Sequence, residues 1–362
     1  MRPARAWAAS PRRTPIVTAA DPVREDPNQD APLIERFDAL LCDLDGVVYA
    51  GPHAIDGAPE ALKRVKDSGR AVMYVTNNAS RSPEAVAEHI SSLGAPARTQ
   101  DVVSSAQAAA ALLAERLPRS ARVLITGAQA LADEIRAVGL TPVTSQDEQP
   151  QAVVQGFDPH IGWEQLAEAA FTLADESVLW CATNTDRTIP KERGIAPGNG
   201  TLVAAVAAAS GREPVVAGKP EAPIFREAAE RVGARNPAVV GDRLDTDILG
   251  ANNAGMPGIE VFTGVDSPRS VLAACTSQRP SYLLGNLREL FEPYPWVDVT
   301  HDDDRFRARC REAVAETDGD IVTVTAPSDD LDGWRAACAT WWAAHPDVDV
   351  AREPSLTWQD PA

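Results

Sequence analysis

Three features of this chain predict an α/β fold built on a parallel sheet. From residue 34, short β-rich runs alternate with Ala- and Leu-rich helical stretches. Runs such as Leu40-Leu41-Cys42 and Val239-Val240-Gly241 are apolar on both faces, which suits strands covered by helices on both sides. Polar, chemistry-bearing segments then follow the strands, where open parallel sheets place their ligands.

Taken in order, apolar β-rich runs predict strands at 39–43, 71–76, 122–126, 152–157, 178–183, 238–241 and 258–262. Helical spacing predicts helices between them at 58–66, 104–116, 164–174, 201–209 and 222–232. Residues 1–32 read as a disordered leader: Arg12-Arg13 is followed by no apolar core long enough for export. A core is expected over 33–117 and 214–292, interrupted by a smaller α/β unit at 118–213. Residues 296–362 differ in character, with fifteen acidic against six basic side chains and five of the eight tryptophans. That is too aromatic for a disordered acidic tail. A small α/β module is expected there, with a helix at 304–315, a strand at 320–325 and a second helix at 331–344.

Composition narrows the function. The 362 residues carry a formal net charge of −18, which argues against a duplex nucleic-acid partner. No apolar stretch approaches the ~18 residues that span a bilayer. The five cysteines are scattered and never form a CxxC pair, so neither a disulfide framework nor a zinc site is indicated, and a reducing cytoplasm fits. Only four of the 34 basic residues are lysine: Lys63, Lys66, Lys191 and Lys219. In a chain that otherwise uses arginine, a lysine has a local reason.

Four segments carry chemistry. Asp43-Leu44-Asp45-Gly46 ends the first strand, and two carboxylates there can divide nucleophilic and proton-transfer work. A solvated acidic turn would use the same residues. Thr76-Asn77-Asn78 ends the next strong strand, where a hydroxyl and backbone N–H groups can hold phosphate oxygens, or merely cap a helix. Gly218-Lys219-Pro220 offers a compact ammonium able to touch a phosphate and a carboxylate together. Asp242-Arg243-Leu244-Asp245-Thr246-Asp247 brings carboxylates to a strand end, suited to a hard divalent cation or to a helix N-terminus.

In this order, DLDGVVY, VTNNAS, VAGKP and GDRLDTDI resemble the haloacid dehalogenase superfamily of phosphatases, in its NagD-like, type IIA branch. The resemblance covers about residues 34–292. It implies a Rossmann-like core with an inserted α/β cap over 118–213. It also implies a Mg²⁺-dependent phosphatase of small phosphorylated metabolites, with glycerol 3-phosphate expected and phosphoglycolate, sugar or aryl phosphates as alternatives. By the same similarity, Asp43 is the nucleophile and Asp45 the general acid/base. Asp43, the Asp45 carbonyl and Asp242 hold the metal, and Asp247 supports its water shell. Thr76, Asn77 and Lys219 hold the phosphoryl oxygens. Asn184, Asp186, Arg187 and Asn199 are candidate substrate contacts on the cap, which the family also uses for homodimers. A partner-docking role for the tryptophans of 296–362 is the reading from a different class.

Overall fold

The computed structural model describes residues 30–78, 81–191 and 193–360. Most of the expected leader therefore lies outside the described residues. Leu33 and Ile34 are already buried, and the Leu33 N–H donates to Glu292 C=O at 2.9 Å.

Strand β1 (Ala39–Cys42) is followed by helix α1 (Ala58–Asp67), β2 (Ala71–Thr76), α2 (Pro83–Ser92), β3 (Val102–Ser104) and α3 (Ser105–Arg116). The inserted unit runs β4 (Arg122–Thr126), α4 (Gln129–Ala137), β5 (Thr141–Val143), β6 (Ala152–Gln155), α5 (Trp163–Thr172), β7 (Leu179–Ala182), α6 (Asn199–Ser210) and β8 (Val215–Val216). The chain returns through α7 (Ala222–Val232), β9 (Pro237–Gly241), α8 (Leu249–Ala254), β10 (Gly258–Val261), α9 (Pro268–Leu272) and β11 (Tyr282–Leu284). Two further antiparallel strand pairs, 49–50 with 53–54 and 188–191 with 194–197, were not expected from the sequence.

These strands build two parallel sheets. The first has the order β11-β10-β9-β1-β2-β3, with every β1 residue buried between helical layers. The second, in the cap, has the order β8-β7-β6-β4-β5. Helix α3 joins them, because its alanines and Leu113 pack into one buried cluster with Met73 and Val75 of the first sheet and Val123 and Val154 of the second. No described helix is long and apolar enough to cross a membrane.

The C-terminal module corrects the expectation. Residues 304–315 form no helix. Strands β12 (Val297–Asp302), β13 (Arg305–Cys310), β14 (Ala313–Asp318) and β15 (Ile321–Thr325) run antiparallel, and β16 (Ser355–Gln359) joins β15 in parallel after helix α10 (Leu331–Ala344). Arg, Ala and Glu are good helix formers, which suggested helix. Their period is nonetheless two. Arg305, Arg307 and Arg309 face solvent while Ala308 and Cys310 are buried. Cross-strand ion pairs Arg305–Asp318 and Arg307–Glu316, each 3.0 Å, suit that outer face. Of the module's tryptophans, Trp341 and Trp342 are buried, while Trp296, Trp334 and Trp358 are half-buried, the Trp334 and Trp358 rings meeting at 5.0 Å.

A buried carboxylate interrupts the core of the first sheet. Glu260 of β10 is 0% exposed, and neither carboxylate oxygen has a hydrogen-bond partner. Burial, reinforced by the charges of Asp266, Asp247 and Asp242, pushes its pKa from 4.5 up to about 10. The folded state therefore holds this proton more tightly than the unfolded chain. Its stability contribution is complete below the unfolded pKa and declines as pH rises toward the folded one, by up to ~1.4 kcal/mol per unit. Glu260→Gln removes that titration. Its stability advantage over the native chain, measured by denaturant unfolding, is expected to grow from pH 5 to pH 9; a constant difference would contradict a neutral Glu260.

Candidate active site

The carboxyl ends of β1, β2 and β9 lie side by side, since β1 is the strand between β2 and β9. Asp43 leaves β1 and Asp242 leaves β9 at the same level of the sheet, tied by the Asp43 N–H to Val240 C=O bond at 2.9 Å. Thr76 closes β2. A turn at Leu244–Ile248 then delivers Asp247. Carboxylate oxygens of Asp43, Asp242 and Asp247 lie within 4.8 Å of one another.

Such a cluster needs positive charge, and Lys219 supplies part of it. Its ammonium donates to Asp43 Oδ1 and, at 2.8 Å, to Asp247 Oδ1. Burial alone would lower the Lys219 pKa, but Asp247 and Asp43 outweigh it and hold the ammonium charged. Burial also raises Asp247, with Lys219 opposing that shift. Asp242 is pushed up to about 6 by burial and then by Asp43. One ammonium thus serves two of three crowded carboxylates. Asp242 Oδ1 is buried without a hydrogen-bond partner. An orphaned carboxylate oxygen facing an all-oxygen donor set fits a hard divalent cation. Asp43 keeps 14% of its side chain accessible, so it alone of the three is also partly open to solvent.

Two glycines make the close approach possible. Gly46 has φ +83°, and a Cβ there would overlap the Asp242 carboxylate. Gly264 also closes on this carboxylate, with the same consequence. The neighbouring Val265 N–H donates to Asp242 Oδ2 at 2.8 Å, and the Thr263 hydroxyl donates to Gly46 C=O at 2.5 Å. Sequence reasoning missed Thr263–Asp266, because backbone N–H groups leave no side-chain signature.

Asp45 lies outside the three-carboxylate cluster and is exposed. Desolvation by surrounding protein, and then the Asp43 charge, raise its pKa. A raised carboxyl is a better proton donor near neutrality. Asn77 has a different task from the one its position first suggests. Its Oδ1 accepts from the Lys219 N–H at 2.7 Å, and its Nδ2 donates to Lys219 C=O at 3.0 Å. The same Nδ2 lies 3.3 Å from both Asp186 carboxylate oxygens. Thr76 Oγ1 accepts from the Asn78 N–H at 3.1 Å.

The cap residues divide into two groups. Asn184 and Asn199 are buried: Asn184 Nδ2 donates to Asn77 C=O at 2.9 Å, and Asn199 Nδ2 donates to Asn184 C=O at 2.7 Å. They brace the loop that carries Asp186 and Arg187, both of which are exposed. Arg187 accepts at its carbonyl from the Gly198 N–H and the Thr201 hydroxyl. Ser105 at the start of α3, also missed in the sequence, donates to Asn77 C=O at 2.8 Å.

The shared ammonium yields a stability prediction. Lys219→Met leaves Asp43 and Asp247 facing each other without it, a loss expected to cost about 3–5 kcal/mol in metal-free buffer. Adding Asp247→Asn is expected to restore a large part of that loss. Denaturant unfolding of the single and double variants measures this, and a single variant as stable as the native chain would contradict the shared-ammonium account.

Comparison with known proteins gives the family of this fold. A family model described as haloacid dehalogenase-like hydrolase matches residues 40–141, and a related HAD-hydrolase-like model matches residues 216–290. The chain is 48% identical over 260 residues to the D-glycerol 3-phosphate phosphatase of Mycobacterium tuberculosis, covering 72% of each protein. It is 35% identical over 261 residues to the acid sugar phosphatase of Staphylococcus saprophyticus, covering 72% of this chain and 98% of that one. A crystal structure of glycerol phosphate phosphatase from Mycobacterium tuberculosis in complex with magnesium matches with a TM-score of 0.78 and 41% identity, over 91% of this chain and 96% of the other. Residues 1–295 alone could not supply that share, so the structural likeness extends into the C-terminal module, beyond the segment that carries the sequence motifs. The chain therefore belongs to the haloacid dehalogenase-like hydrolases, as a phosphatase-type member with a capped α/β core.

Proposed function

We propose that this protein is a Mg²⁺-dependent phosphomonoesterase acting on a small phosphorylated metabolite, with glycerol 3-phosphate as its substrate. The observation that carries the reaction type is the pairing of a partly accessible Asp43 with a separate, raised-pKa Asp45, beside a carboxylate cluster short of positive charge. The choice of glycerol 3-phosphate rests on the 48% identical relative of that activity. Acid sugar phosphatase relatives keep sugar phosphates as the alternative, beside phosphoglycolate and aryl phosphates.

In this reading, Asp43 attacks phosphorus in line with the ester oxygen and forms an aspartyl-phosphate. Asp45 gives its proton to the departing alkoxide. It then takes a proton from the water that attacks phosphorus and returns Asp43. Lys219 and Thr76 hold phosphoryl oxygens. The Asn77 side chain is committed to Lys219 and Asp186, so its phosphate contact falls to its backbone N–H. Asp43, the Asp45 carbonyl and Asp242 would hold Mg²⁺, with Asp247 fixing Lys219 and facing the cation's water shell. Bound there, the cation would offset charge on the transferring phosphoryl group. Asp186 and Arg187, exposed on that loop together with Thr185, are the charged cap side chains that this reading gives to the alcohol part of the substrate.

The proposed division is a core over 33–117 and 214–292, a cap over 118–213 and a module over 296–362. All five cysteines are buried free thiols, which supports a cytoplasmic site of action.

A second copy is proposed to bind through the cap. Helix α5 presents Trp163 and Phe171, 77% and 53% exposed, beside an open groove of about 590 Å³ that also involves Arg136 and Pro142. None of the proposed site residues lines this groove, so an apolar occupant there leaves the chemistry accessible.

Two experiments test these readings. A steady-state panel of phosphomonoesters with Mg²⁺ is expected to favour glycerol 3-phosphate, and Asp45→Asn to slow that alkyl ester far more than p-nitrophenyl phosphate. Equal losses on the two esters would remove Asp45 from the acid role. In sedimentation velocity, the native chain is expected to dimerise and Trp163→Glu to remain monomeric; a native monomer at all concentrations would refute pairing.

A further inference from the structure

The C-terminal module is fastened to the elements that orient Asp242. Thr263–Asp266 brackets that aspartate: the Val265 N–H donates to its carboxylate, and the Asp266 N–H donates to its carbonyl at 3.0 Å. The Asp266 carboxylate accepts from the Leu244 N–H at 2.8 Å, so the same loop also holds the start of the Asp247 turn. This loop runs directly into α9, a helix of only five residues. A helix that short has little stability of its own and takes its position from its neighbours.

Leu244 and Ile248 of the core are among those neighbours, and the rest of the grip comes from the module. Buried Trp342 of α10 donates from Nε1 to Leu272 C=O at 3.2 Å, and the Arg352 N–H donates to Ala273 C=O at 2.9 Å. Just beyond, the Thr276 N–H donates to Val348 C=O, and the Val348 N–H returns to Thr276 Oγ1, both at 2.9 Å. The Thr276 hydroxyl donates to Pro346 C=O at 3.0 Å. One buried apolar cluster joins Leu244 and Ile248 of the Asp247 turn, Val271 and Leu272 of α9, and Trp341 and Trp342 of α10. Arg335 locks α10 to the edge strand, donating to Leu283 C=O at 2.6 Å, to Asp332 at 2.6 Å and to Glu289 at 3.0 Å.

We propose that the C-terminal module is a positioning element of the active site: by clamping α9 from outside, Trp342 and the Thr276–Val348 pair fix the Thr263–Asp266 loop and thereby the metal-facing Asp242 carboxylate. The inference rests on the reading of Asp242 as a metal ligand. It also changes the standing of residues 296–362, which the sequence presents as an appendage outside the catalytic motifs. Trp342 and Thr276 touch neither substrate nor metal and act only through α9 and its loop.

The test uses the full-length protein with Trp342→Phe and Thr276→Val, singly and together. Both substitutions remove hydrogen-bonding groups while keeping most of the side-chain volume. Circular dichroism establishes folding, and isothermal titration with MgCl₂ measures cation binding well below the unfolding midpoint. Perturbing groups that orient metal ligands typically costs ten- to hundredfold in affinity, so the double variant is expected to bind Mg²⁺ about tenfold more weakly. Its turnover is expected to fall at limiting Mg²⁺ and to recover in excess, with KM for the phosphomonoester unchanged. A folded double variant with native Mg²⁺ affinity would overturn the inference, even if its thermal midpoint were lower. Asp242→Asn separates the two levels: loss of Mg²⁺ binding there upholds the ligand reading, whereas unchanged binding would overturn that reading and this inference with it.

Discussion

The site is organised by one constraint: a buried ammonium must serve carboxylates that cannot be charged together without further help. Lys219 bridges Asp43 and Asp247, while Asp242 stands close by with a buried oxygen that nothing satisfies. Removing charges from water costs several kcal/mol per ion, and only close, well-directed partners offset that. The surrounding details follow from it. Gly46 and Gly264 are small so that backbone can close around Asp242. Asn77 grips both the N–H and the carbonyl of Lys219, fixing the direction from which the ammonium enters. A divalent cation would complete the charge balance with the oxygen donors already present.

This constraint also explains which parts of the protein could be read from the sequence. Asp43, Thr76 and Asp242 announce themselves because each is a polar side chain at the end of an apolar strand, and Asp247 follows five residues after Asp242. Parallel strands deliver such residues to one edge of the sheet. Lys219 follows a strand of the cap sheet and was legible for a different reason, the scarcity of lysine in an arginine-rich chain. The backbone clamp of Thr263–Asp266 was not legible, since any side chain can sit on an N–H that points at Asp242. Nor was the part played by Asn199, whose amide braces the cap loop from a buried position.

The module shows a different limit. In residues 304–315, residue type and periodicity point in opposite directions. Arginine, alanine and glutamate favour helix, but the alternation of Arg305, Arg307 and Arg309 with Ala308 and Cys310 fits a strand with one face in water. Propensities differ by fractions of a kcal/mol per residue, whereas burying the wrong face would forfeit the whole apolar side of the sheet. Period therefore wins. The cross-strand arginine–carboxylate pairs sit on that outer face and leave the net charge of the segment unchanged.

The net charge of −18 does not conflict with a phosphate-handling site, because charge acts over short distances in salt. On the proposed reading, what an incoming phosphomonoester would meet is set by Lys219, the cation the carboxylates would attract and the N–H groups after β2. The acidic exterior weighs against polyanions such as nucleic acid, which must neutralise many phosphates at once across a broad surface. A single phosphate entering a cleft faces no such requirement. The cap adds its own bias. Asp186, held 3.3 Å from the Asn77 amide, puts a hydrogen-bond acceptor beside Asn77. On the proposed reading that acceptor suits a hydroxyl of a polyol phosphate such as glycerol 3-phosphate, and the choice between a polyol and a phosphocarboxylate is set by how Asp186 and its exposed neighbour Arg187 divide the alcohol part of the substrate.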